Sequence, residues 1–199
     1  KGKISSRPGA FMPKSAEINI DIKGKAAHGT APYEGIDALC IASDFIQRLY
    51  REHSQIPGAV PRFPEGIGNL PLAPSSKPEE KTLIHIGKME SGYARNIVSD
   101  YTHLLGTVRA YDEDKFKMII SLITDLLDKI SNEYKCQTDF SRSEGYPPVI
   151  NDSCLYAEIL PTLNSLSSGY EEMAQPLIIS EDFSFYGQYA PAVFFVLGT

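Results

Sequence analysis

Cysteine is scarce in this chain of 199 residues: Cys40, Cys136 and Cys154 are odd in number, far apart and without a CxxC pair. That pattern argues against a disulfide framework or a cysteine-built zinc site, and fits plain buried thiols in a reducing compartment. Usable histidine spacing is missing too. None of His28, His53, His85 and His103 has a second ligand at HxH, HxxxH or HxxE spacing, so no self-contained metal site is expected within the chain. Positive charge is in deficit, with 19 Lys and Arg against 25 Asp and Glu, and no basic segment carries interleaved aromatics. A net charge of -6 and a pI near 5.2 exclude an ordinary nucleic-acid binder. Long apolar runs are lacking as well: "AVFFVLG" (192–198) falls far short of the roughly 20 residues of a membrane span. No charged-then-apolar leader opens the chain, which makes the cytoplasm the expected location.

What is present is ordinary for a globular protein: 42% hydrophobic and 22% charged residues. The length allows one domain, or a small domain with part of another. The chain opens without Met and stops just after an apolar strand, so a piece of a longer polypeptide is the expectation.

Periodicity supplies the elements. "AEINIDIKG" (16–24) alternates Ile18, Ile20 and Ile22 with polar residues, as a half-buried strand does. "GIDALCIASDFIQRLYREH" (35–53) places Ile36, Leu39, Cys40, Ala42, Phe45, Ile46 and Leu49 at helical spacing. Residues 54–81 hold six of the 14 prolines and read as a surface insertion, neither helix nor central strand. "TLIHIGKMESG" (82–92) and "DYTHLLGTVRAYD" (100–112) read as a strand pair. In 112–134 an acidic start precedes Phe116, Ile119, Ile120, Ile123, Leu126, Leu127 and Ile130, the clearest amphipathic helix. "KCQTDFSRSEG" (135–145) is a final strand. This βαββαβ order predicts an α+β, ferredoxin-like sandwich over 14–145. Beyond it come a modest helix containing Pro161, a short helix and a buried strand, which look like an incomplete α/β segment over 146–199.

Three constellations could carry chemistry. His28 sits in "GKAAHGTAPYEG" (24–35) among residues too small to cover it, either as a loop histidine bonded to backbone or as a functional imidazole. Asn96 in "SGYARNIVSD" and Arg109 in "GTVRAYD" form a second group; an exposed guanidinium fork binds a carboxylate bidentately or simply pairs with a nearby acid. Glu181 and Asp182 in "ISEDFSFY" either cap a short helix or line a cleft.

Taken together, these segments resemble the dinuclear-metal amidohydrolase and peptidase family of aminoacylase, indole-acetyl-amino-acid hydrolase, hippurate hydrolase and N-acetyl-diaminopimelate deacetylase. "IKGKAAHGTAPYEGIDAL" is similar to its lid segment. "SGYARNIVSDYTHLLGTVRAYD" is similar to its Gly-x-x-x-Asn-x-x-x-Asp run ending in Gly-Thr-x-Arg, and "GYPPVIND" and "SEDFSFYGQYAPAVFFVLGT" to two downstream signatures. The resemblance implies a ferredoxin-like lid and dimerisation domain (14–145, with 54–81 inserted) between the end of one catalytic-domain segment (1–13) and another (146–199). It implies a whole enzyme that carries two divalent metal ions, zinc or manganese, and cleaves an N-acyl amino acid or small peptide as a homodimer. The family's metal ligands match no position here, so no metal is expected on this chain and activity is not expected of it alone. The resemblance gives His28 the role of reaching across the dimer to the oxygen that turns negative during amide attack. Asn96 and Arg109 would hold the substrate carboxylate and tetrahedral oxygens, with Glu181 and Asp182 near the cleft. The rival expectation is a non-catalytic ferredoxin-like module that binds a ligand or assembles subunits.

Overall fold

A computed structural model describes residues 2–62, 80–166 and 169–198. Two short strands come first, β1 (Ile4–Ser6) and β2 (Gly9–Met12), so the stretch expected to be a segment end or linker carries ordered sheet. The sandwich follows: β3 (Lys14–Lys23), α1 (Ala38–His53), β4 (Thr82–Ser91), β5 (Tyr101–Ala110), α2 (Glu113–Tyr134) and β6 (Gln137–Arg142). Its four strands form one antiparallel sheet in the order β4-β5-β3-β6, the ferredoxin-like arrangement that the element order predicts.

Each helix starts on an aspartate outside its first turn. Asp37 accepts from the N–H groups of Leu39 and Cys40 at 3.0 and 3.2 Å, and Asp112 from those of Asp114 and Lys115 at 2.9 Å each. Ile18, Ile20 and Ile22 of β3 share one buried cluster with Phe116, Ile119, Ile123, Leu126, Leu127 and Ile130 of α2. The phase of α1 differs from the expectation. Its buried stripe is Ala38, Ile41, Ala42, Phe45, Leu49 and His53, whereas Leu39 and Cys40 face outward. Helical spacing alone permits either phase where apolar residues crowd the first turn; the neighbouring sheet selects one. Arg48 ties the two helices, gripping Glu133 at 2.7 and 3.1 Å and Asp44 on its own helix.

The root of the proline-rich insertion lies along the edge of β4. Thr82 donates to the Gly58 carbonyl and accepts from Val60, both at 2.9 Å, which satisfies part of an otherwise open strand edge. The Ile86 N–H, beside a bulge at Ile86/Lys88, donates to the Tyr50 hydroxyl at 2.8 Å. The remainder of the insertion, 63–79, lies outside the described residues.

A 3-10 turn (Pro32–Glu34) lies between β3 and α1, and the elements after the sandwich are β7 (Val149–Asn151), α3 (Ser153–Asn164), β8 (Tyr170–Glu172), a 3-10 helix (Asp182–Gln188) and β9 (Val196–Leu197). They pair with the start of the chain: β1 lies between β8 and β9, and β2 pairs with β7. Here the expected buried strand falls short. β9 is two residues long at a sheet edge, and Leu197 is 65% exposed.

Candidate active site

His28 stands on a loop zipped to the connection between β4 and β5. Past the end of β3, the Gly24 N–H donates to the Asp100 carbonyl at 2.8 Å, and Lys25 and Ile36 exchange two bonds of 2.9 Å. Either side of His28, the Ala27 carbonyl accepts from Val98 at 2.9 Å and the Gly29 N–H donates to the Asn96 carbonyl at 2.7 Å. The small residues are needed for this approach. A Cβ on Gly24 would lie 2.0 Å from the Ile36 carbonyl oxygen, and one on Gly29 3.1 Å from that of Asn96. The loop is therefore anchored on both flanks while the imidazole is exposed, with Nδ1 2.8 Å from Thr30 Oγ1 and 3.3 Å from the Thr30 backbone nitrogen. Asn96 is exposed next to it.

Arg109 is elsewhere. The register pairs Lys23 with Tyr101 at one end of the sheet and Ser15 with Arg109 at the other. From Tyr101 to Arg109 the strand advances about 27 Å. The grouping of Asn96 with Arg109, natural when they stand 13 positions apart in sequence, does not hold within one chain, because β5 spans the whole sheet between them. His28 and Asn96 mark one end; Arg109 marks the other together with Ser180, Glu181 and Asp182.

At that second end, side chains grip the 174–180 segment by its backbone. Arg109 Nη1 donates to the Ile178 carbonyl at 3.2 Å and to Ser180 Oγ at 3.3 Å, and Ser15 Oγ donates to Ser180 Oγ at 3.0 Å. The Tyr111 hydroxyl donates to the Leu177 carbonyl, and burial pushes its phenol up to about 12, so it remains a donor at any working pH. Arg7 adds a longer bond to the Ala174 carbonyl at 3.4 Å. Arg109 pairs with carbonyl and hydroxyl oxygens, not with the neighbouring acid that a surface arginine would be expected to find. Glu181 occupies the N-cap position of the 3-10 helix but makes no capping bond through its side chain, and both Glu181 and Asp182 are exposed.

Sequence reasoning missed Asn151. It is buried at the end of "YPPVIN", donating to the Arg7 carbonyl at 2.7 Å and to Ser6 Oγ at 3.1 Å, while its Oδ1 accepts from the Phe194 N–H at 2.7 Å. It stitches three distant stretches; the "GYPPVIND" signature contains it, but no spacing within that stretch reveals the partners it joins. Ser180 and Tyr111 were missed for the same reason: their partners are set by chain reversal, not by spacing. Thr30 was missed although its partner, the His28 ring, is only two residues away.

Each of the remaining histidines has a hydrogen-bond partner within the fold. His53 is the last residue of α1 and is buried, its Nε2 3.0 Å from Thr82 Oγ1; burial holds its pKa down near 4. His103 Nδ1 lies 2.6 Å from Asp21 Oδ1, and His85 takes a bond from Arg62. Of the cysteines only Cys136 is buried; Cys40 and Cys154 are exposed, against the expectation for all three. Among the described residues no group of three or more His, Cys, Asp and Glu side chains could hold a metal ion, and no helix is long and apolar enough to cross a membrane.

Residues 13–135 match the model of the peptidase dimerisation domain of the M20 peptidases. The chain belongs to that family. Among its relatives, an N-acetyldiaminopimelate deacetylase of Oceanobacillus iheyensis is 27% identical over 99% of this chain and 48% of its own length. Thermostable carboxypeptidase 1 of Saccharolobus solfataricus is 28% identical over 100% of this chain and 45% of its own. A Bacillus subtilis structure described as a dinuclear metal binding peptidase of the M20 family superposes with a TM-score of 0.69 at 20% identity, covering 98% of this chain and 43% of that one. This M20 chain therefore spans about half the length of the curated relatives it matches, and those relatives are hydrolases and peptidases.

Proposed function

We propose that this chain is the lid-bearing half of a metal-dependent amidohydrolase that cleaves an N-acyl amino acid or a small peptide as a homodimer. The observation that carries the reading is the separation of His28 from Arg109 across the length of β5. A single chain with this sheet cannot direct both at one small substrate. Two chains joined through a dimerisation domain can, if the His28 end of one meets the Arg109 end of the other. The lid-segment motif, the exposure of His28 and its rigidly anchored loop all favour an imidazole built to project. The described residues do not form a donor set for the metal ions, so those ions would be held by residues outside them.

In this reading the Arg109 fork leaves its bonds to Ile178 and Ser180 and takes the substrate carboxylate bidentately. The Asn96 amide and the His28 N–H, from the opposite subunit, donate to the carbonyl oxygen of the scissile amide as it gains charge. A donor so placed is worth about 3–4 kcal/mol in the transition state and little in the ground state. Glu181 and Asp182, free of capping duty, border the same cleft. The relatives' names, a deacetylase and a carboxypeptidase, support amide cleavage as the reaction class.

The test is complementation in the full-length protein. His28→Ala should lower turnover about a hundredfold or more with little change in KM. Mixing it with a variant disabled only at the metal ligands should restore activity once tagged chains show that subunits have exchanged. Each hybrid dimer should approach half the wild-type dimer's rate. Exchanged hybrids that remain inactive would place His28 in its own subunit's service and overturn the shared site.

A further inference from the structure

We infer that Thr30 is a positioning residue that fixes the tautomer of His28, so that the neutral imidazole carries its proton on Nε2 and presents it outward; the inference rests on the reading of His28 as a hydrogen-bond donor. Two polar groups of Thr30 converge on one ring nitrogen: the backbone N–H, 3.3 Å from Nδ1, and the hydroxyl oxygen, 2.8 Å from it. The backbone N–H can only donate, so Nδ1 must accept. A proton on Nδ1 would set donor against donor. With Nδ1 bare, the hydroxyl donates as well and both contacts are satisfied. Turning the ring over would put a carbon where two donors meet, leaving both unpaired.

A neutral imidazole has a single N–H, and it then resides on Nε2, on the ring's far side. That is the form that can stabilise an oxygen gaining negative charge. The opposite tautomer would offer a lone pair to that oxygen and repel it. A threonine two residues after a histidine bends back onto it through a short local turn, and its branched Cβ limits the hydroxyl to few rotamers. The anchored flanks of the loop, at Ala27 and Gly29, hold the two residues in that relation before any substrate arrives.

The experiment uses full-length protein with nitrogen-labelled histidine, the His28→Ala variant serving to assign the His28 ring signals. In the wild type, at a pH where the ring is neutral, the proton should reside on Nε2 with Nδ1 unprotonated. Thr30→Val keeps the shape and the backbone N–H but removes the hydroxyl; it should raise the share of the other tautomer and lower kcat about fivefold, with KM unchanged. Thr30→Ser should restore both. A wild-type proton found on Nδ1, or a tautomer ratio indifferent to Thr30→Val, overturns the inference. The ring spectra do not depend on catalysis. If they behave as expected while His28→Ala leaves turnover intact, the tautomer assignment stands and the proposed function fails.

Discussion

The sandwich and the segments around it, 2–12 and 149–198, solve the burial problem to different degrees. In the sandwich, one contiguous cluster runs from Ala16 to Cys136, with Phe45, Leu49, Leu104, Ile119 and Ile123 wholly excluded from solvent. Outside it, the buried cluster is Phe11, Met12 and Val149, joined by half-buried rings such as Phe183 and Phe194 at 5.1 Å between centroids. Its strands are two to four residues long, and Ile150, Phe185, Tyr186, Tyr189 and Leu197 stay exposed. Strands of ten residues and helices of 16 and 22 bury a complete apolar face on one another. The flanking strands have little to bury against, so polar stitching through Asn151 and the grip on 174–180 do much of the holding. The difference teaches that the lid carries the information for its own fold, whereas the flanking segments take their shape largely from contacts with distant parts of the chain.

The sharpest way to break that comparison is a pair of truncations in the 199-residue chain. Phe45→Ala should cost about 3–5 kcal/mol in urea unfolding, and Phe194→Ala about 1 kcal/mol. Equal losses would mean that the two regions share one cooperative core. The next effect is pH-dependent and confined to the lid. Because burial lowers the folded pKa of His53 to about 4, the unfolded chain takes up that proton first. The stabilising contribution is complete above about pH 6.5 and is lost as the pH falls toward 4, on the order of 3 kcal/mol in all. Unfolding midpoints of His53→Gln should show that much less decline over the same window; an unchanged decline would assign it to the carboxylates instead.

Arg109 belongs to both regions, lying on β5 while holding Ile178 and Ser180. In the full-length protein Arg109→Lys should raise KM about tenfold, roughly 1.4 kcal/mol, for substrates with a free carboxylate. Steady-state kinetics on a matched pair of substrates, one with its carboxylate blocked, checks this, since an equal effect on both would reduce Arg109 to a strap between regions. The smallest contrast compares helix starts. Asp112→Ala removes two capping bonds and should cost about 1 kcal/mol. Glu181→Ala removes none and should leave thermal unfolding unchanged.

Local pattern alone determined much of this protein. Alternation at Ile18, Ile20 and Ile22, the acidic start at 112–114 and the stripe from Phe116 to Ile130 gave element type and order, since strand and helix periods and helix starts are short-range properties. The lid motif singled out His28 by its small neighbours, while its place beside Asn96 came from the fold. Tertiary structure alone decided the phase of α1, where the sheet chose Ala38 and Ile41 over Leu39 and Cys40. It also decided the separation of Arg109 from Asn96, the hub at Asn151 and the grip of Arg109 and Tyr111 on the 174–180 segment. Each of these depends on which atoms chain reversal and strand register bring together, and register is fixed by the summed burial of a whole sheet face, which no single stretch of sequence contains.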